Sequence, residues 1–377
     1  MAPDAGKIVP AWLNSRISFT LKRKTTIIHM KNRLLLPIIF AAVITATFSS
    51  CKKDEPVPPS SNGQPIAAGD GVFITDEGNF QGGNAMVSFY RFSNGTAIED
   101  LFRPVNSRPL GDVCQSVSFI NGNVYVVVNN SGKIEVCTPS NLRSTKTITG
   151  FVSPRYILPV AGNKAYVTDL YSNAVHIVDL SNNTVTGSFV FPGQAEAIAL
   201  TNGEVYITCL NRDKVYVVDP NSDMITDSIQ VAMGGNSLQV DNNGKLWELC
   251  YGDYVTSSAG GLYRINTSTH MVEQGWPFTT FDFPTKLCAN STGDTLYYLN
   301  YNIYRFTSSA SAAPSSAFIS ATTQSFYGLG IRPGTGEVFV TDAVDYTQRG
   351  HLLRYTAAGI LEDDEQVGII PGGIWFY

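Results

Sequence analysis

The sequence predicts an all-β chain folded as a seven-bladed β-propeller, a ring of WD40- or YVTN-like repeats, and three observations carry that expectation. A short apolar strand centred on an aromatic recurs seven times, at Phe73, Tyr125, Tyr166, Tyr206, Trp247, Tyr297 and Phe339. Their spacings of 52, 41, 40, 41, 50 and 42 residues match a blade of four strands. In six of the seven units a Gly (122, 162, 203, 244, 293, 336) precedes the aromatic by three or four positions, where a tight hairpin requires positive φ. Composition agrees: of 377 residues 44% are hydrophobic, 15% are charged and 33 are Gly, which suits neither disorder nor long helices.

Before the repeats, residues 1–29 read as a mis-assigned start, because a complete export signal follows over 30–50. Lys31 and Arg33 form its basic end, and residues 34–46 are an apolar run too short to span a membrane comfortably. Phe48, Ser49 and Ser50 then lead into Cys51, an arrangement that resembles a lipobox and marks Cys51 for lipidation. Residues 51–70 are a tether rich in Pro and Ser, opening on Lys52-Lys53-Asp54-Glu55.

The propeller itself is assigned to 71–377, and 307 residues divided by seven give about 44 per blade. Each aromatic strand, the second of its blade, is followed by a further strand at 86–92, 133–136, 175–180, 215–219, 262–266, 303–306 and 352–355, the third, and then by a variable outer segment. The first unit has no innermost strand of its own, while the chain ends in Ile374-Trp375-Phe376-Tyr377. These residues are expected to supply that strand and close the ring.

Residues 1–50 hold 7 of the 26 Lys+Arg and 1 of the 31 Asp+Glu, so the chain from Cys51 onward has 19 against 30, a net charge of −11. That balance speaks against a nucleic-acid surface. Five cysteines remain beyond Cys51 (Cys114, Cys137, Cys209, Cys250, Cys288), with no CxxC spacing; one bridge among them is open but cannot be placed. His176, His270 and His351 lack metal-ligand spacing, and no hydrolase, metalloprotease or nucleotide motif occurs, so no cofactor, metal or catalytic residue is expected. Asp76, Asp169, Asn300 and Asp342 share one column three residues past the blade aromatics. The same column holds Val128, Cys209 and Cys250, so these polar groups read as strand-end caps before a divalent-ion site.

In a propeller the connections between blades and the loops between second and third strands meet on one face. The first set offers Asn106, Arg108, Arg155, Tyr156, Glu196, Asn236, Lys286 and Tyr327. The second offers Phe80, Asn130, Tyr171, Arg212, Tyr251, Tyr254, Tyr301 and Tyr346. Aromatic planes with amide and guanidinium donors suit a large, flat ligand carrying amides or hydroxyls.

The stretches Asp76-Glu77-Gly78-Asn79-Phe80, Asn106-Ser107-Arg108-Pro109-Leu110-Gly111-Asp112, residues 129–136, Ser153-Pro154-Arg155-Tyr156 and residues 165–171 resemble the YncE-type seven-bladed propeller lipoproteins of Bacteroidetes. Within that group the chain is similar to surface proteins that capture cobalamin for a TonB-dependent transporter. The resemblance implies a lipid-anchored outer-membrane protein facing outward that binds a ligand, a corrinoid among the candidates, without being an enzyme. Two other readings stand beside it: a divalent-ion-dependent propeller hydrolase or lyase, and a scaffold for protein or glycan.

Overall fold

The computed structural model describes residues 65–377, so Cys51, the export signal and residues 51–64 of the tether lie outside the described residues. The last part of the expected tether, 65–70, instead joins the propeller, because apolar Ile66 is buried in its core and donates its N–H to the Ser140 carbonyl. Seven antiparallel sheets follow one another along the chain. From the axis outward, the first blade is Pro371–Phe376, Gly71–Asp76, Met86–Arg91 and Thr96–Ile98. The innermost strands of blades two to seven are Cys114–Ile120, Pro154–Ala161, Ala195–Thr201, Gly235–Val240, Thr285–Ala289 and Phe326–Ile331. Closure occurs as expected: Phe376, Trp375 and Ile374 pair with Val72, Phe73 and Ile74. A chain-end strand leaves no free sheet edge at the seam.

The hairpin glycines act as the repeat requires. Asn121 and Gly122, with φ of 49° and 76°, and Asn202 and Gly203, with 53° and 81°, have both central residues of a two-residue turn in the left-handed region. Each such turn joins an innermost strand to the second strand bearing the blade aromatic. All seven aromatics are buried between blades. Three of them also latch one blade to the next. Tyr125 Oη donates to Asn183 Oδ1 at 2.6 Å, Tyr166 Oη donates to Asp223, and Tyr206 Oη donates to the Thr267 carbonyl at 3.0 Å. Phe73 and Phe339 at the seam have no hydroxyl; there Tyr90 Oη donates to Asp363 across the closure.

Two departures from the regular pattern have local causes. The sixth blade has three strands, Thr295–Asn300 and Asn302–Thr307 following its innermost one, with only an isolated bridge from Ile303 to Ile319 where a fourth would run. The intervening segment is a run of Ser, Ala and Pro with little strand propensity. The first blade's outer strand is three residues long and is followed by a short helix, Phe102–Asn106, before the chain enters blade two. The five described cysteines beyond Cys51 are all free.

One buried group works against stability at neutral pH. Glu248 follows Trp247 on the second strand of blade five, in a column that elsewhere holds Ile74, Val126, Val167, Ile207, Tyr298 and Val340. It is fully buried, and the weakly donating Cys250 thiol is the one hydrogen-bonding group beside its carboxylate among the described residues. Burial therefore raises its pKa well above the ordinary 4.5. A carboxyl whose folded pKa is raised contributes its full stability below the unfolded pKa and loses it as pH rises toward the folded one. Glu248→Gln should gain in melting temperature over the parent at pH 8 relative to pH 4.5; equal differences at the two pH values would contradict this account.

Candidate functional site

The innermost strands share one irregularity. In every blade the pairing with the second strand slips near its start, skipping Gln115 in blade two, Arg155 and Tyr156 in three, Glu196 and Ala197 in four, Asn236 in five, Lys286 and Leu287 in six, Tyr327 in seven and Gly372 in one. A β-bulge releases such a residue from the ladder and re-aims its side chain. Threonines of the neighbouring second strands hold three of the bulges: Tyr156 N donates to Thr168 Oγ1, Ala197 N to Thr208 Oγ1 and Gly328 N to Thr341 Oγ1.

Seven bulges at one level set a ring of Gln115, Arg155, Glu196, Asn236, Lys286, Tyr327 and Gly372 around the axis. At the glycine the place of a side chain is taken by a neighbour. A Cβ on Gly372 would stand 2.6 Å from Glu77 Oε1 and 3.2 Å from Tyr327 Cε1, so Glu77 occupies the seventh position. Tyr327 Oη donates to the same Glu77 oxygen at 3.0 Å. Charges of non-neighbouring blades reach one another across the axis. The Lys286 ammonium, on blade six, feels Glu77, Arg155 and Glu196 from blades one, three and four.

Most of the ring is internally committed. Arg155 grips Glu196 through Nε to Oε2 at 2.6 Å and Nη2 to Oε1 at 2.7 Å, a bidentate pair, and its Nη1 donates to Gln115 Oε1. Burial would lower the Arg155 pKa, but Glu196 outweighs it and holds the guanidinium firmly charged. Asn236 Nδ2 donates to the Gly234 and Pro284 carbonyls, and its Oδ1 accepts from Ser237. Burial raises Glu77, against the pull of Lys286 and Arg155, and lowers Lys286. The Tyr156 phenol, behind Arg155, is pushed up to about 12 by burial and by Glu196.

Aromatic side chains surround this ring. Tyr251 stacks on Phe283 with centroids 4.7 Å apart, and Tyr346 meets Tyr327 edge-on at 5.6 Å. Farther out, Phe80, Tyr171, Tyr254 and Tyr301 stand on loops between second and third strands and are 49 to 67% exposed, unusually open for such large apolar groups. Asn130 and Arg212 occupy equivalent loops, where Asn130 Nδ2 donates to Asp112 and Arg212 Nε to the Pro192 carbonyl.

The structure thus gathers Arg155, Glu196, Asn236, Lys286 and Tyr327 in the ring, with Tyr156, Tyr251 and Tyr346 beside it and Phe80, Asn130, Tyr171, Arg212, Tyr254 and Tyr301 on the outer loops. Arg108 is elsewhere. Its guanidinium bridges both oxygens of fully buried Glu135, at 2.9 and 2.8 Å, and lies over the Phe102 ring, fastening the short helix to the outer strands of blade two. Lys133, Ser144 and Thr147 complete that cage, and together these partners overcome burial and hold Glu135 down at about 2. Asn106 is likewise structural, bonded to Phe102, Leu142 and Ser144 backbone atoms.

Sequence reasoning missed Gln115, Glu77 and Gly372. A usable signal existed for the first: ring residues of blades two to seven precede their blade aromatics by 10 to 12 positions, a near-constant offset. Three of the four polar groups past the aromatics cap loops, while the fourth, Asp76, is fully buried and accepts from the Ser88 hydroxyl instead. Asp169 accepts from Val152 N and Ser153 N, Asn300 from Phe283 N, and Asp342 from Ser325 N, each at 2.8 to 3.1 Å. Among the described residues no group of three or more His, Cys, Asp or Glu is placed to hold a metal ion. His176 lies 3.3 Å from Asp169, His270 bridges Glu204 and Asp227, and His351 meets Asp364, three separate structural roles.

Fold and ring together define a seven-bladed propeller with a polar mouth on the face of the inter-blade loops. Over residues 70–362 the chain matches the family described as a domain of unknown function, DUF5074, and it belongs to that family. No curated protein matches it. Solved structures share the fold. A quinonprotein alcohol dehydrogenase-like protein from Bacteroides thetaiotaomicron superposes with a TM-score of 0.66 at 15% identity, over 81% of this chain and 78% of the other. A functionally unknown protein from Desulfotomaculum acetoxidans gives 0.63 at 12%, over 81% and 98%. A candidate 6-phosphogluconolactonase from Bacteroides fragilis gives 0.59 at 13%, over 83% and 99%.

Proposed function

We propose that this protein captures a large, flat, amide-bearing ligand of the corrinoid class at the mouth of the propeller, without chemistry, and passes it to a TonB-dependent outer-membrane transporter. Lipidation at Cys51 would hold it on the outward face of that membrane. The observation that carries the reading is the convergence of seven bulge positions inside an aromatic border. A ring already bonded to itself through Arg155, Glu196, Gln115 and Tyr327 is preorganised, so little side-chain order is lost on binding. Exposed phenols and Phe80 supply planes against which a macrocycle can lie. Residues 76–80, 106–112, 129–136, 153–156 and 165–171 resemble the YncE-type propeller lipoproteins, a group that includes surface cobalamin-capture proteins, and the choice of ligand class follows that resemblance. The divalent-ion reading needs accessible carboxylates in the second-strand column; those of Asp169 and Asp342 are occupied by backbone amides, and Asp76 is fully buried against Ser88.

Titration with cyanocobalamin tests this. The parent chain should bind and gain thermal stability in proportion to the logarithm of ligand concentration. Replacing Tyr171, Tyr254 and Tyr346 together by Ala should weaken binding about tenfold or more, since each ring removed forfeits on the order of 1 kcal/mol. Unchanged affinity in the triple variant counts against this face.

A further inference from the structure

Among the ring residues Lys286 is exceptional: its ammonium has no hydrogen-bond or ion-pair partner among the described residues. Arg155 is taken by Glu196 and Gln115, Asn236 by backbone carbonyls, and Glu77 by Tyr327. The Lys286 Nζ stands 5.5 Å from the Tyr327 ring centroid, and the residue keeps partial exposure in the mouth. Its backbone is held at φ 58°, a left-handed conformation that a lysine adopts at a cost. No other ring residue has this conformation. A largely buried cation without a hydrogen-bonding counter-group among the protein's own described residues is unfavourable, and an anion that offers it an oxygen relieves that cost.

We infer that Lys286 is an anion-binding position, at which the captured ligand presents a phosphate or carboxylate oxygen to the ammonium against the Tyr327 ring. This rests on the mouth being a binding site, as proposed above, but not on the ligand being a corrinoid. The probe is inorganic phosphate and, separately, benzoate, titrated into the full chain at ionic strength held constant with chloride, with melting temperature as the readout. The parent should show a saturable rise with at least one anion, and the one that responds tells phosphate from carboxylate. Lys286→Arg should keep the response. Lys286→Met should weaken the apparent affinity about tenfold or more. Lys286→Gly, which removes the ammonium while relieving the left-handed backbone, should fold at least as well as the methionine variant and lose the response too. Absence of a saturable response in the parent, or the same response in the parent, methionine and glycine forms, overturns the inference. If the anions act through Lys286 but cyanocobalamin does not bind, the corrinoid reading falls and this one stands.

Discussion

Ending the chain at Gly372 should lower the melting temperature by about 10 °C or more and promote aggregation. Ile374, Trp375 and Phe376 contribute the innermost strand of the first blade, and removing their side chains returns about 2 kcal/mol of burial each to water. For a domain of this size each kcal/mol corresponds to roughly 2 °C. Phe376 also packs edge-on against Phe339 of blade seven at 5.4 Å, and Tyr377 stacks on Phe119 of blade two at 4.9 Å. The cut therefore loosens both neighbours of the seam and bares the edge of Gly71–Asp76, a template for pairing with other chains. A truncated chain that melts with the parent would refute closure by the C-terminal strand.

The second large effect is expected at the ring. Arg155→Met leaves Glu196, 4% exposed, with no cation on its carboxylate. Breaking one side of a buried pair typically costs about 3–5 kcal/mol, here roughly 6–10 °C in melting temperature. Gln115 loses its guanidinium partner at the same time, so cyanocobalamin binding should fall with stability. Adding Glu196→Gln removes the stranded charge, and the double variant should recover most of the stability while still binding poorly. A double variant no more stable than Arg155→Met alone would contradict the pairing as the source of the loss.

Much of this architecture was legible in the sequence because a propeller repeats itself. The aromatic column from Phe73 to Phe339 sits between blades, where its size and apolarity are required, and the hairpin turns demand positive φ, so both recur at a readable period. The sixth blade's missing strand and the short helix at Phe102–Asn106 are local exceptions that a repeat-based reading smooths over. The ring was half-legible. Arg155, Glu196, Asn236, Lys286 and Tyr327 stand in connections recognisable as one face, but bulges fix which residue turns to the axis, and a bulge leaves no trace in strand alternation. Glu77 was invisible for another reason: it matters because Gly372, far away in sequence, lacks a side chain. Arg108 shows the converse. It occupies the right kind of loop, yet its partner Glu135 lies on an outer strand that only the fold brings within reach.

If the proposed function holds, a corrinoid binds in the mouth ringed by Gln115, Arg155, Glu196, Asn236, Lys286, Tyr327 and Glu77. Amide hydrogen exchange of the full chain with and without cyanocobalamin tests it directly. Slowed exchange is expected at Ser153–Tyr156, at Lys286 and Leu287, and in the loops carrying Tyr251 and Tyr346. Unchanged exchange at all of these, or protection confined to the opposite-face turns at Asn121-Gly122 and Asn202-Gly203, would contradict it.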